Sequence, residues 1–387
     1  MGGILQKKCA DSQAEGREGM TAESPKIIYR KRSGLFRYQA WPTVCRTKDG
    51  TLYVVCSGER AWHICPFGKN LMFVSHDNGD SWSPPMLIND TWLDDRDAGI
   101  CVADNGDLIL SWFNRETDYY LHHRGWIEKT VAEPDRSVMA AMFDRYPYFT
   151  DEMNCHGSFT KRSKDGGKTW SAARRSPVTS PHGPIQARDG RLLWLGKEMD
   201  SDLPQKDAIL LAESRDGGES WSILSEIMPP PCGKQALYEP YLIELTDGTL
   251  LGAIRAQGDA VYHGFTMYFC RSEDGGKTFT KPEASNISGS PPHLLQLRDG
   301  RVLCTYGRRE EPFGIRAVIS TDGGKHFGEE MELERVETLG YAGDLGYPST
   351  VELDDGTLLT VWYEIIEDDP VPSIVYKKWQ LKKEATT

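Results

Sequence analysis

A tyrosine, a glutamate and an aspartate stand at one common offset from a recurring turn. Six stretches place Asp-Gly or Asn-Gly between short apolar runs: "KDGTLYVV" at 48, "DNGDLILS" at 104, "RDGRLLWL" at 188, "TDGTLLGA" at 246, "RDGRVLCT" at 298 and "DDGTLLTV" at 354. Each is a β-hairpin signal, since both turn residues tolerate positive φ. Eight residues before the turns stand Trp41, Asp97, Pro181, Glu239, Pro291 and Tyr347. Eight residues after them stand Ser57, Phe113, Lys197, Arg255, Gly307 and Tyr363, with Arg308 and Arg309 just beyond. Carboxylates move protons, a phenol can attack once its proton is taken, and guanidiniums bind planar anions. No folding requirement demands such groups at equivalent places of separate repeats.

The elements that must position them come from a second series. "SHDNGDSW" at 75, "SKDGGKTW" at 163, "SRDGGESW" at 214, "SEDGGKTF" at 272 and "STDGGKHF" at 320 interleave with the hairpins. One repeat reads strand, hairpin turn, strand, loop, strand, Asp-containing turn, strand. Four strands per ~50 residues, repeated six times, predict an all-β six-bladed β-propeller of four-stranded antiparallel blades. The terminal Trp or Phe of each octapeptide is expected to pack between blades. The sixth blade lacks the octapeptide, so "KIIYRK" is expected to close the ring against "SIVYKKWQL". The propeller spans 26–387, after a polar lead-in at 1–25. An insertion at about 114–157 carries "GWIEKTVAEPDRSVMAAMF", a helical stretch broken at Pro134, which shapes the mouth of a site, decorates the surface or forms a homo-oligomer contact.

Composition excludes several classes. The chain has 387 residues, 39% of them apolar, and a formal charge of −12. That charge and the lack of a basic–aromatic stripe argue against nucleic acid and against an anionic membrane surface. Nine Cys without CxxC pairs point to reduced thiols rather than a disulfide framework or a zinc site. No HExxH, P-loop or GxGxxG occurs, so neither a metal nor another cofactor is expected. The first twenty residues contain no apolar run of signal-peptide length, and no stretch approaches ~18 apolar residues, so the expected location is cytoplasmic.

Five such octapeptides in a six-blade pattern resemble the sialidase (neuraminidase) superfamily, where the octapeptide is the Asp-box or BNR repeat. The resemblance covers the chain from about residue 26. "YEPYLIELTDGTLLGAIR" looks like the family's Glu-to-Arg stretch, and "GYPSTVELDDGTLLTVWYE" like its nucleophile segment. The resemblance implies Tyr347 as nucleophile, Glu239 as its base and an Asp as acid/base. It implies Arg255 and a further arginine from "YGRREEPFGIR" as carboxylate ligands: Arg309, then Arg308, then Arg316. A Tyr oxygen suits an anionic anomeric centre, since a carboxylate nucleophile would be repelled by the substrate's own carboxylate.

Two departures stand out. Ala40 occupies the place of the family's first arginine, with Arg37 out of register on the other strand face. The loop that carries the family's acidic residue is "GERAWHICPFGKN", which offers Arg60, His63 and Lys69 but no Asp. Asp97, in competition with Asp94 and Asp95, is expected to supply the acid from the next blade, beside Arg96. His182 and His293 lie near blade openings as hydrogen-bonded structural groups or substrate contacts. The expected activity is exo-glycosidic release of an anionic sugar, sialic acid or similar, from a glycan or small sugar substrate. The rivals are a glycosidase or lyase on a non-sialic glycan with Asp97 and His63 or His182 sharing proton transfer, and a carbohydrate-binding propeller without catalysis.

Overall fold

The computed structural model describes residues 20–199, 203, 206–229, 236–257, 265–337, 339, 343–367 and 369–382. Six antiparallel sheets follow one another along the chain, each four strands deep. Their innermost strands are Tyr38–Arg46, Arg96–Val102, Ile185–Gln186 with Val178–Thr179, Leu237–Glu244, His293–Gln296 and Gly346–Glu352. The last of these packs back on the first, so the ring is closed. The expected six-bladed propeller is what the chain forms. Among the described residues, no helix is long and apolar enough to cross a membrane.

Apolar alternation along the strands builds the layers between blades. Leu52, Val54 and Phe73 of blade 1 pack with Leu359 and Val361 of blade 6, while Val55 and Met72 on its other face meet Ile100 and Leu110 of blade 2. Blade 6 closes as the sequence predicts. Lys26–Tyr29 pairs antiparallel with Ser373–Leu381, Ile27 opposite Val375. Met20–Ala22 pairs with the same strand, Met20 opposite Leu381. The propeller therefore begins before residue 26, because three residues assigned to the lead-in complete its outer edge; the rest of that lead-in up to residue 19 lies outside the described residues.

The five octapeptides share one hydrogen-bond pattern between the third and fourth strands. In the turn at 163, Ser163 Oγ donates to Asp165 Oδ1 (2.8 Å) and accepts from the Gly167 N–H (2.8 Å). The Asp165 carboxylate accepts both the N–H and the hydroxyl of Thr169 (2.9 and 2.6 Å). The aromatic that follows packs between blades: the Trp221 indole donates to Thr160 Oγ1 (3.1 Å), and Phe327 lies 4.9 Å from Phe269.

The insertion folds as two helices, α1 (Thr117–Thr130) and α2 (Asp135–Phe143), with the break at Pro134. Tyr120, Ile127, Met139 and Phe143 form a small core with Ala61, Trp62, Ile64 and Cys65. That core clamps the loop between the second and third strands of blade 1, which bears His63.

Candidate active site

The column eight residues before the hairpin turns is a structural device. Trp41, Asp97, Glu239 and Tyr347 take φ of 54°, 51°, 41° and 53°, a left-handed conformation uncommon for non-glycine residues. Each sits where the innermost strand slips register against its neighbour. A β-bulge of this kind re-aims a side chain without ending the strand. Repeated around the ring, it brings Asp97, Glu239 and Tyr347 into one cavity of about 900 Å³ at the mouth of the channel. The fourth member, Trp41, is buried, with the Arg60 and Arg96 guanidiniums 4.7 and 4.5 Å from its ring centre.

At the centre, the Tyr347 hydroxyl donates to Glu239 Oε1 in a short hydrogen bond. Arg255 Nη1 donates to the other oxygen, Oε2, and Arg255 Nη2 to Gln257. Burial pushes the Glu239 carboxyl up, but Arg255, the Tyr347 hydroxyl and Arg309 outweigh it and hold it below its usual value. Burial and the Glu239 charge push the Tyr347 phenol well above 10, partly offset by Arg255 and Arg309. The pair is thus a protonated phenol bonded to an ionised carboxylate, the starting state for base-assisted attack by the phenol oxygen.

Arg309 lies 5.5 Å above the Tyr347 ring and donates to the Leu345 carbonyl (3.0 Å). Asp97 is 8% exposed, and its Oδ1 has no hydrogen-bond partner among the described residues. Burial raises its carboxyl to about 7 against the pull of Arg96, so it holds a proton near neutrality. Arg96 lines the same cavity and donates to the His63 carbonyl (2.9 Å).

His63, also on the cavity wall, is bonded through Nδ1 to Asp344 Oδ1 (2.7 Å), with the Tyr38 hydroxyl 3.4 Å from the same nitrogen. Nδ1 so held leaves Nε2 as the ring's other polar atom. Burial lowers the imidazole pKa against the opposing pull of Asp344, and Arg96 and Arg60 lower it further.

Other expected substrate contacts are placed elsewhere. Arg60 is fully buried in an ion pair with Asp94 and bonds the Trp62 and His63 carbonyls, so it supports the wall from behind. Arg308 pairs with Glu330, as does Arg316, and Lys69 pairs with Asp90; none of the three lines the cavity. His182 and His293 meet edge to face with ring centres 5.0 Å apart, His182 bonded to Thr43 Oγ1 (3.1 Å), and burial lowers both imidazoles. Neither lines the cavity. Arg37 pairs with Asp369, away from the site.

Asp344 was missed by the sequence reading, as were Arg115, Glu116, His156 and Arg175 at the cavity's outer edge. Asp344 belongs to no repeat offset, and the others flank the insertion or a short outer strand. Lys197 and Phe113 do line the cavity, and their place in the same column as Arg255 was a usable signal.

The model of the BNR repeat-like domain family matches residues 146–360. The chain belongs to this family. A sialidase of Micromonospora viridifaciens is 27% identical over 52% of this chain and 35% of its own length, so the chain spans about a third of that relative. A protein of unknown function from Dyadobacter fermentans superposes with a TM-score of 0.72 at 24% identity, covering 95% of this chain and all of the other. The NanB sialidase of Streptococcus pneumoniae gives 0.65 at 13% identity, over 92% of this chain and 70% of that one. An α-L-arabinanase of Penicillium chrysogenum gives 0.60 at 14%, over 92% and 98%. At these identities the solved structures establish the sialidase-like propeller fold alone.

Proposed function

We propose that this BNR propeller is an exo-glycosidase that releases a terminal anionic sugar, sialic acid or a close relative, from a glycan. The observation that carries this reading is the Tyr347–Glu239–Arg255 chain at the cavity centre. Tyr347 Oη attacks the anomeric carbon as Glu239 accepts its proton, the bond to the aglycone oxygen breaks, and an aryl glycoside of the tyrosine forms. Water then hydrolyses it, and the proton returns to the phenol. Arg255 and Arg309 bind the sugar's carboxylate, in keeping with their always-charged, forked geometry. Asp97, protonated near neutrality by burial, gives its proton to the departing oxygen and recovers it from the attacking water. The sialidase and arabinanase relationships support a glycosidase in general; the anionic substrate rests on the two arginines. A panel of α-linked sialosides and neutral glycosides, with free sugar as the readout, tests the reading. Release from a sialoside that disappears in Tyr347→Phe supports it, and a Tyr347→Phe protein that still turns over ends it. Sugar binding without any turnover would instead favour a carbohydrate-binding propeller.

The His63–Asp344 pair favours a second reading for proton transfer alone. An imidazole fixed through Nδ1 by a buried carboxylate is an oriented acid/base. In that case His63 protonates the leaving group, and Asp97 serves as a substrate contact.

A further inference from the structure

The cavity extends well beyond the tyrosine. A volume of about 900 Å³ is at the upper end of ordinary ligand pockets, about 300–1,000 Å³, and leaves room past a single sugar ring. Part of its wall, over blades 2 to 4, is formed by Phe113, Arg115, Arg175, Lys197 and Tyr238, with the acids Glu116, Glu198 and Asp207 on the same lining. Three cations therefore share one shelf on a chain of formal charge −12.

Many of the chain's arginines are held by carboxylates. Arg124, Arg162 and Arg191 each meet a carboxylate within 2.9 Å. Arg115 lies over the Tyr119 ring at 5.2 Å, and Arg175 over the Phe159 ring at 5.3 Å with a long contact to Cys155 Sγ (3.5 Å). Among the described residues neither guanidinium has a carboxylate partner. Lys197 sits 4.2 Å from the Tyr238 ring centre, donates to the Leu237 carbonyl (3.0 Å) and is 3.5 Å from Asp207. Burial lowers its ammonium, Asp207 opposes this, and the Arg115 charge lowers it again. The Arg115 and Lys197 charges repel each other, so both gain when an anion enters between them. Of the acids on the same wall, Asp207 faces Lys197 and Glu116 lies 4.0 Å from His156.

We infer that the shelf is an anion-binding subsite for the second sugar of the substrate, the one that leaves, which carries a carboxylate or a sulfate of its own. This rests on the proposed function for its orientation, since the first anionic sugar is taken to occupy the Arg255–Arg309 end. The preferred substrate is thus an oligosaccharide with charges on adjacent sugars, stacked on Tyr238 or Phe113, rather than a lone anionic cap on a neutral glycan.

Calorimetry on Tyr347→Phe, which holds ligands without turnover, tests this. The probes are an α-linked sialic acid dimer, sialyllactose, and sialyllactose sulfated on its galactose. The dimer, the sulfated compound or both should bind at least tenfold more tightly than sialyllactose, and which one does so distinguishes carboxylate from sulfate. Adding Arg115→Ala and Arg175→Ala should bring the affinities together, with an unchanged melting temperature because both side chains are exposed. Equal affinities at the outset, or an advantage that survives the double substitution, would overturn the inference. If no sialoside binds, the axial reading has failed separately, and a heparin-derived disaccharide is titrated against the same variants. Binding lost with Arg115 and Arg175 then upholds the shelf as an anion site, and absence of binding overturns it.

Discussion

Tyr347 holds its hydroxyl on Glu239 from a left-handed backbone, a conformation that costs of order 1–3 kcal/mol wherever a non-glycine residue adopts it. Tyr347→Phe keeps ring and backbone and removes one oxygen, so stability should change by about 2 kcal/mol or less, the scale of one hydrogen bond to a charged partner. Turnover should fall by several orders of magnitude. Urea unfolding and a sugar-release assay on the same preparation separate the two effects. Arg255→Lys should mainly raise KM, because a point charge replaces a fork. The pH profile distinguishes the two proton donors. If Asp97 is the acid, its carboxyl at about 7 makes kcat/KM fall above pH 7, and Asp97→Asn is the inactive variant. If His63 is the acid, its lowered imidazole makes the fall begin below pH 6.5, and His63→Asn is inactive. Asp97 also carries a stability signature. Its folded-state pKa is raised, so its contribution is fully present below pH 3.8 and lost as pH rises through about 7. Asp97→Asn should therefore raise the melting temperature at pH 8 and leave it nearly unchanged at pH 3.5. At this scale the sequence showed which residues share an offset, and Asp97, Glu239, Arg255 and Tyr347 all arrived together. It did not show that Arg60 is spent on Asp94, because an ion pair across 34 residues leaves no periodic trace.

Elements were more legible than residues. Octapeptide and hairpin each encode their geometry locally, through carboxylate-to-backbone bonds and glycines at positive φ, so neither needs tertiary context to be recognised. The bonds inside the octapeptide hold Asp216 down at about 2, with Ser220 and Ser214 outweighing burial. Asp216→Ala should thus lower the melting temperature by several degrees at pH 7 and leave kcat and KM untouched, since the turn lies outside the cavity lining. The difference between variant and parent should shrink as pH falls from 3.8 through about 2, where the native carboxyl takes up its proton. The insertion was harder to read. Its break at Pro134 was visible, but the packing of α1 and α2 on the His63 loop depends on contacts such as Tyr120 with Trp62 and Cys65 that no local pattern announces.

At the scale of the whole molecule, ring closure and pocket charge both depend on chain segments far apart. Blade 6 takes its inner three strands from the C-terminal stretch and its outer edge from Met20–Ala22 and Lys26–Tyr29. Without those segments, Ser373–Leu381 would become an exposed edge of nine residues, rich in Ile, Val, Tyr and Trp, a ready template for intermolecular pairing. The closure also buries Met20 against Leu297 and Trp379, so the seam holds blades 5 and 6 together. A chain starting at residue 20 should fold and act like the parent. A chain starting at residue 31 loses the cross-strand pairing of both Met20–Ala22 and Lys26–Tyr29, on the order of one hydrogen bond per paired residue. It should unfold at least 10 °C lower and aggregate on heating. The active site should weaken with it, since Tyr347 stands on the innermost strand of that same blade and its ring packs against Tyr363 of that blade and Trp41 of blade 1. Scanning calorimetry and light scattering on the two truncations check this. A residue-31 chain as stable as the parent would mean that the blade 6 sheet holds without its outer strand, and that the ring is secured by the contacts of Gly346–Glu352, Leu358–Glu364 and Ser373–Leu381 with Tyr38–Arg46.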